Sequence, residues 1–256
     1  MNDLIERASA KKNQRARPSN DLKYTPLEHI KIPRPVDRLA YISAACSNKR
    51  VLDLGALDET AFVQKSGNGT WLHEQIAKVA DSVLGLDSSA TIPENGFVTA
   101  PNARIMKGSV LNAKNLLADI NFRPDIVVAG ELIEHLDNPL TFLRTLRNIP
   151  QLNGAILLLS TPNATAIHNC LIALASREST HADHLCILSF KTLSTLLVRA
   201  GYHDWEIIPY YADFAEMKQR HRGVRKKLIM SGQAAINLIE RNFPLLSFGL
   251  LVSATI

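Results

Sequence analysis

The chain has 256 residues, 46% of them hydrophobic and 21% charged, with 12 Gly, 12 Pro and a formal charge of +5. This is the composition of a globular core, not of a disordered or collagen-like chain. The longest apolar runs, Ala155 to Leu159 and Leu245 to Val252, are far short of the roughly 20 residues that a membrane-spanning helix needs. The first residues carry acids and lack an apolar run leading to a cleavage site, so no secretory signal is expected. Cys46, Cys170 and Cys186 are odd in number and widely spaced, which suits reduced thiols in a cytoplasm.

The positive charge is unevenly spread. Residues 1–20 carry a net +3 and Asp213 to Arg241 a net +4, leaving −2 for everything else. A nucleic-acid protein with its charge built into the fold would be basic throughout, so the excess belongs to two appendages.

In chain order, residues 1–30 show no sustained period and read as a basic, mobile N-terminal segment, with the folded domain spanning 31–256. Pro35 suits a first helical position, and Val36, Leu39 and Ala40 predict a short helix ending near Cys46. Arg50-Val51-Leu52-Asp53-Leu54-Gly55 predicts a buried strand. A helix from Trp71 to Ala80 and a strand from Ser82 to Leu86, closed by Asp87, follow. Ala103 to Met106, Pro124 to Val128 and Ala155 to Ser160 predict further strands, and Asn112 to Ala118 a helix. Asn138 caps the helix opened by Pro139, and Ser189 caps another that ends at Gly201. Trp205 to Pro209 and Leu250 to Ile256 complete the strands. Strands alternating with helices require crossover connections, hence an α/β fold with a seven-stranded, mostly parallel sheet and helices on both faces. Ligands of such sheets lie across the carboxyl ends of the strands.

Asp53 and Gly55 close the first strand and Asp87 the second, two acids at neighbouring strand ends. That arrangement suits a ligand bearing an ammonium group and a ribose. Residues 53–60 lack the Gly-x-Gly-x-x-Gly spacing that would let a diphosphate approach the backbone.

Over residues 35–256 the sequence resembles the class I S-adenosylmethionine-dependent methyltransferases, which implies their Rossmann-like fold. Val51 to Gly55 resembles the first motif, whose acid and glycine border the methionine end of the cofactor, with Ala56 beside them. Leu84 to Ser88 is similar to the second, whose acid, here Asp87 with Ser88 following, takes both ribose hydroxyls. Lys107-Gly108-Ser109-Val110 falls where the family flanks the adenine, Ile126 to Glu131 resembles the fourth motif with Ala129 and Gly130 at the cofactor, and Leu158 to Asn163 resembles the end of the fifth strand. Leu57 and Glu59 replace further glycines of the first motif, so the loop there takes another path.

Methyl transfer to a hydroxyl needs a group that removes or weakens its proton. In Glu131-Leu132-Ile133-Glu134-His135 the polar residues stand at i, i+3, i+4, which on a helical turn places two carboxylates and an imidazole on one face. His135 can act as general base, or the three side chains with His184 can hold a divalent ion, magnesium or manganese; the sequence leaves both open. Glu131, Glu134, His135 and His184 also resemble the ligand set of the metal-dependent small-RNA 2′-O-methyltransferases, whose Glu-x-x-Glu-His is completed by a later Asp-His, here Asp183-His184. His181 reads as a solvated loop residue. Trp71 and Trp205 read as core aromatics, and His29, His73, His168, His203 and His221 have no partner spacing.

About forty residues separate Pro209 from Leu250, where the family commonly has a short hairpin. Leu228, Gly232, Ala235, Ile236 and Ile239 predict a helix in this 211–246 insertion, following the basic run Arg220 to Lys227. It could pack over the substrate entrance or a neighbouring subunit, or residues 218–241 could rest on an anionic surface. The acceptor expected is a small molecule or sugar hydroxyl, with RNA and a non-catalytic cofactor-binding protein as alternatives. The oligomeric state is not legible.

Overall fold

A computed structural model describes residues 27–57, 62, 69–110 and 113–256. The basic N-terminal segment and most of residues 58–68 lie outside the described residues.

Helix α1 (Arg38–Ala45) starts later than Pro35 suggests, because the Asp37 carboxylate caps it by accepting from the Ala40 N–H at 2.8 Å. Strand β1 (Arg50–Leu54) leads to α2 (Leu72–Ala77), β2 (Ser82–Asp87), β3 (Phe97–Ala100) and β4 (Ala103–Lys107). Then come α3 (Ala113–Asp119), β5 (Ile126–Gly130), α4 (Pro139–Arg147) and β6 (Ile156–Pro162). Helices α5 (Ile167–Ala173) and α6 (Phe190–Ala200), strand β7 (Trp205–Tyr210), helices α7 (Ala215–Arg220) and α8 (Gly223–Asn242) and strand β8 (Gly249–Thr255) complete the chain. The two polar caps expected from sequence are formed: Asn138 accepts from the Thr141 N–H, and Ser189 and Thr192 make a reciprocal capping box, with Gly201 left-handed at the far end of α6.

The described strands form one eight-stranded sheet in the order β3-β4-β2-β1-β5-β6-β8-β7. Strands β4, β2, β1, β5 and β6 are parallel, whereas β3, β8 and β7 run antiparallel to their neighbours. The eighth strand, β3, has no alternating apolar pattern in Phe97-Val98-Thr99-Ala100 and pairs only with β4, at the sheet edge, which is why periodicity misses it. Helix α5 is also absent from the sequence reading, and none of its residues is buried.

Two cores flank the sheet. Leu52, Leu54, Val127, Ala129, Leu157 and Leu159 face Phe142, Leu143 and Leu146 of α4 and Leu193 and Leu197 of α6. Val51, Val83, Val128 and Leu158 face Ile42 of α1 and Ile76 of α2. Asp53 alternates onto this second face with Val51. Both sides of the central strands are therefore sealed, and polar chemistry is confined to their ends.

The 211–246 insertion is helical and tied to that end of the sheet. Asn163, just past β6, donates its amide to the carbonyls of Leu245 and Ser247. Glu240 of α8 is fully buried and accepts from the Ala212 N–H at 3.2 Å, two residues beyond β7. Among the described residues no helix is long and apolar enough to cross a membrane.

Burial raises the Glu240 carboxyl from its ordinary 4.5 to about 7, opposed by backbone N–H groups of Ala212 and Phe248. The folded state therefore keeps a proton that the unfolded chain releases, and stability should fall as pH rises from 4.5 to 7. Glu240→Gln should remove this slope, leaving the variant the more stable by the order of 2 kcal/mol at pH 8 and little changed at pH 4.5. Urea denaturation at the two pH values measures it.

Candidate active site

The site begins where β5 ends. Glu131 has a left-handed backbone (φ 54°), and its N–H reaches both the Ser160 carbonyl at 3.0 Å and the Ser160 hydroxyl at 3.2 Å. A left-handed conformation costs a non-glycine residue about 1 kcal/mol, which these bonds offset. The consequence is directional. The Glu131 carboxylate turns toward β7, where it accepts from the Tyr210 hydroxyl at 2.7 Å and lies 3.5 Å from the Arg38 guanidinium. Arg38 also donates to the Ser160 hydroxyl at 2.9 Å and stands over the Tyr210 ring.

Tyr210 can reach Glu131 only because Gly249 lies opposite it in the β7–β8 pairing, since a Cβ there would fall within the tyrosine ring. Burial and the nearby Glu131 charge push the Tyr210 hydroxyl well above its ordinary value, so it stays a proton donor. Arg38 is delivered by a short parallel bridge: Val36 donates to the Pro209 carbonyl and accepts from the Tyr211 N–H.

After Glu131 the chain makes a 3₁₀ turn, Ile133–His135. The expectation that Glu131, Glu134 and His135 share one helical face is corrected here, because Glu131 precedes the turn and its reversed backbone points it elsewhere. Glu134 is fully buried. Its carbonyl accepts the N–H groups of Leu185 at 2.8 Å and Cys186 at 3.3 Å, pinning the 181–186 loop to the turn. That brings His184 edge-on to His135, with ring centroids 4.7 Å apart. One donor atom each from Glu134, His135 and His184 lies within 4.8 Å of the other two. His181 lies near both imidazoles, 6.3 Å from His135 and 5.7 Å from His184, and is exposed as expected.

Glu134 Oε2 accepts from the Thr161 hydroxyl at 3.1 Å, while Oε1 is buried with no hydrogen-bond partner. Burial, followed by the neighbouring Glu131 charge, raises the Glu134 carboxyl to about 8. His184 Nδ1 is likewise buried without a partner, and burial with the adjacent His135 and His181 lowers its pKa.

The strand-end acids differ from one another. Asp87 is half-buried at the end of β2, and its two oxygens accept the N–H groups of Leu57 at 3.0 Å and Ser89 at 2.8 Å. Asp53 is only 2% exposed, and its carboxylate meets His73 Nδ1 at 2.9 Å. The other ring nitrogen of His73 meets the Thr99 hydroxyl at 2.9 Å. Gly85, paired with Asp53 in the sheet, leaves room for this imidazole, since a Cβ there would stand 3.1 Å from it. Sequence spacing missed His73; the only hint was a histidine within an otherwise core-facing helix beside Trp71.

A family model described as a methyltransferase domain matches residues 2–207. The chain belongs to the class I S-adenosylmethionine-dependent methyltransferases. Among solved structures it is similar to the small RNA methyltransferase HEN1, at 14% identity and a TM-score of 0.54, covering 91% of this chain and 27% of that one. It is also similar to a methyltransferase from Thermotoga maritima described as a possible histamine N-methyltransferase, at 12% identity, TM-score 0.52 and coverages of 86% and 87%. A methyltransferase from Archaeoglobus fulgidus aligns at 14% identity and TM-score 0.46, over 85% of this chain and 94% of that chain. At these identities the likeness is one of fold. No curated protein matches the sequence.

For this methyltransferase the residues present fit the cofactor best at the ribose. A carboxylate has about four lone-pair sites, so Asp87 retains acceptor capacity after taking two N–H bonds. The Asp87 carbonyl also accepts from the Gly108 N–H, fixing the end of β4 beside it. Ser88 is exposed next to Asp87, Ser109 is half-buried, and Gly55 and Gly130 close β1 and β5. Ala56, Val110 and Ala129 are buried, and the Ala56 carbonyl already accepts from the Trp71 indole. Asp53, committed to His73, would act on a cofactor ammonium through its charge from beneath.

That pairing makes a stability prediction. His73→Ala leaves a buried carboxylate without its partner and should cost about 3 kcal/mol in urea denaturation. Adding Asp53→Asn should recover part of the loss, a coupling that a double-mutant cycle reads directly.

Proposed function

We propose that this methyltransferase carries the cofactor's methyl group to a hydroxyl oxygen of a small molecule or sugar, and that Glu134, His135 and His184 meet the acceptor. The observation that carries this reading is the convergence of one carboxylate and two imidazoles beyond β5, with Glu134 Oε1 and His184 Nδ1 buried and unpartnered. Buried polar atoms are normally satisfied, so two orphans on residues of one cluster are consistent with a ligand there. In the transfer the oxygen–carbon bond forms as the sulfur–carbon bond breaks, and the hydroxyl proton passes to a ring nitrogen of His135.

A divalent cation would be held by these three donors, whose ligand atoms lie within 4.8 Å of one another and would have to draw together to reach metal–ligand lengths of about 2.1 Å. Two imidazoles with one carboxylate favour manganese over magnesium. Bound there, the ion would acidify the acceptor hydroxyl. In that alternative His135 would be a ligand rather than the base, with Glu134 supplying charge and His135 and His184 neutral nitrogen.

A second reading, transfer to a ribose 2′-hydroxyl of RNA, is supported by the same three residues, which match the Glu-x-x-Glu-His and Asp-His pattern. Against it, Glu131 is engaged by Tyr210 and Arg38 and is not one of the three residues whose donor atoms converge.

His135→Ala and His184→Ala should each lower turnover by about 10²-fold or more. Tritiated-methyl transfer into fractionated cell extract, with and without EDTA and with and without nuclease, tests the rest. Label in small molecules is expected; counts that vanish with chelator and return with magnesium or manganese would select the metal, and counts indifferent to chelator would leave His135 as the base. Labelled material destroyed by nuclease would select the RNA reading, and unchanged activity in both histidine variants would remove the proposal.

A further inference from the structure

Helix α8 has two faces, and the structure accounts for one. Its inward side is Ile229, Gln233, Ile236 and the buried Glu240, spaced i, i+4, i+7, i+11. At about 100° per residue, Val224, Leu228, Ser231, Ala235 and Leu238 form a second line on the outward side. Val224 is 74% exposed, Leu228 67% and Leu238 61%, so this stripe is aliphatic and faces solvent. Nearby α5, which packs against α8, adds exposed Leu171 and, just past its end, Leu174.

The same helix is electrically one-sided. Arg222, Arg225, Lys226 and Lys227 crowd its start and are all exposed, whereas its only acid, Glu240, is buried. An exposed apolar line flanked by long cations that can extend past it is the pattern of a helix lying in the plane of an anionic interface. From this charge complementarity we propose that α8, with its basic start, docks the protein on an anionic lipid bilayer. Two other occupants fit less well. A strand of RNA is gripped by stacking on aromatic side chains, and the α8 stripe is aliphatic. A second copy would bring a like-charged helix with no exposed acid to meet these cations.

The carboxy-terminal part of α8 is anchored at the rim that carries the candidate active site. Ala212 and Glu240 tie α8 to the end of β7, where Tyr210 holds Glu131. The bilayer would thus sit beside the strand ends.

Co-sedimentation of the full chain with phosphatidylcholine vesicles, with or without about 30% phosphatidylglycerol, tests the proposal. Binding is expected only with the anionic lipid and should weaken as salt rises. Replacing Arg225, Lys226 and Lys227 together by glutamine should lower partitioning on the order of 100-fold, about fivefold per charge. Leu228→Ser with Leu238→Ser should lower it at least about tenfold with unchanged circular dichroism, and this arm distinguishes insertion from bare charge attraction. Equal binding to neutral vesicles, no binding to anionic ones, or indifference to the leucine variant would each overturn it. So would a dimer that the leucine variant dissolves, or binding of a single-stranded oligonucleotide that the leucine variant impairs as strongly.

Discussion

The chain leaves β5 through Glu131 in a left-handed conformation, and that single reversal decides which way each polar group beyond it faces. Were Glu131 helical, its carboxylate would join Glu134 and His135 on one side of a turn. Because Ser160 takes its N–H with both carbonyl and hydroxyl, the reversal is stable, and the carboxylate is delivered to Tyr210 and Arg38. The turn that follows is then free to bury Glu134, and the Glu134 carbonyl gathers the loop bearing His184. One backbone torsion thus partitions two carboxylates, three residues apart, into different environments. One is half-exposed and paired with a cation, and the other is buried, raised to about 8 and unpaired at one oxygen.

A similar division occurs at the other strand ends. Asp53 and Asp87 look equivalent as acids closing neighbouring strands, yet the alternation of β1 turns the Asp53 side chain beneath the sheet. There it needs a buried partner, and His73 over Gly85 supplies one. Asp87 stays half-buried with both oxygens on backbone N–H groups, which tie the residue after Ala56 to the end of β2. The first acid is therefore committed to the scaffold, and the second keeps acceptor capacity at the strand end. A ligand carrying both an ammonium and a diol would meet them differently, by field at one and by hydrogen bond at the other.

Much of this is legible in the residues. The parallel core strands announce themselves as short apolar runs such as Val51 to Leu54 and Ile126 to Ala129, and Asn138, Ser189 and Gly201 mark helix ends by chemistry that is purely local. Strand β3 is not legible, because an edge strand buried on neither face carries no period. His73 is not legible either, since its partner lies 20 residues earlier and only the strand register brings the two together. Glu131 shows the limit most clearly. Its i, i+3, i+4 spacing with Glu134 and His135 is real, but spacing implies a shared face only when the backbone is helical throughout, and the torsion that breaks it is set by Ser160, 29 residues away.

Tyr210, Arg38 and Glu131 also join parts of the chain that the sequence keeps far apart. Arg38 opens α1, Tyr210 closes β7, and Gly249 opens β8; the glycine is needed so that the tyrosine can lie across it. Through Ala212 and Glu240 the same strand end anchors α8. A displacement of α8 would therefore be felt first at the end of β7 and next at the Tyr210–Glu131 hydrogen bond. That bond, with Arg38, holds the Glu131 carboxylate toward β7. The insertion and the candidate site are thus joined by a short path made of the Glu240–Ala212 hydrogen bond, two residues of chain and the Tyr210–Glu131 hydrogen bond.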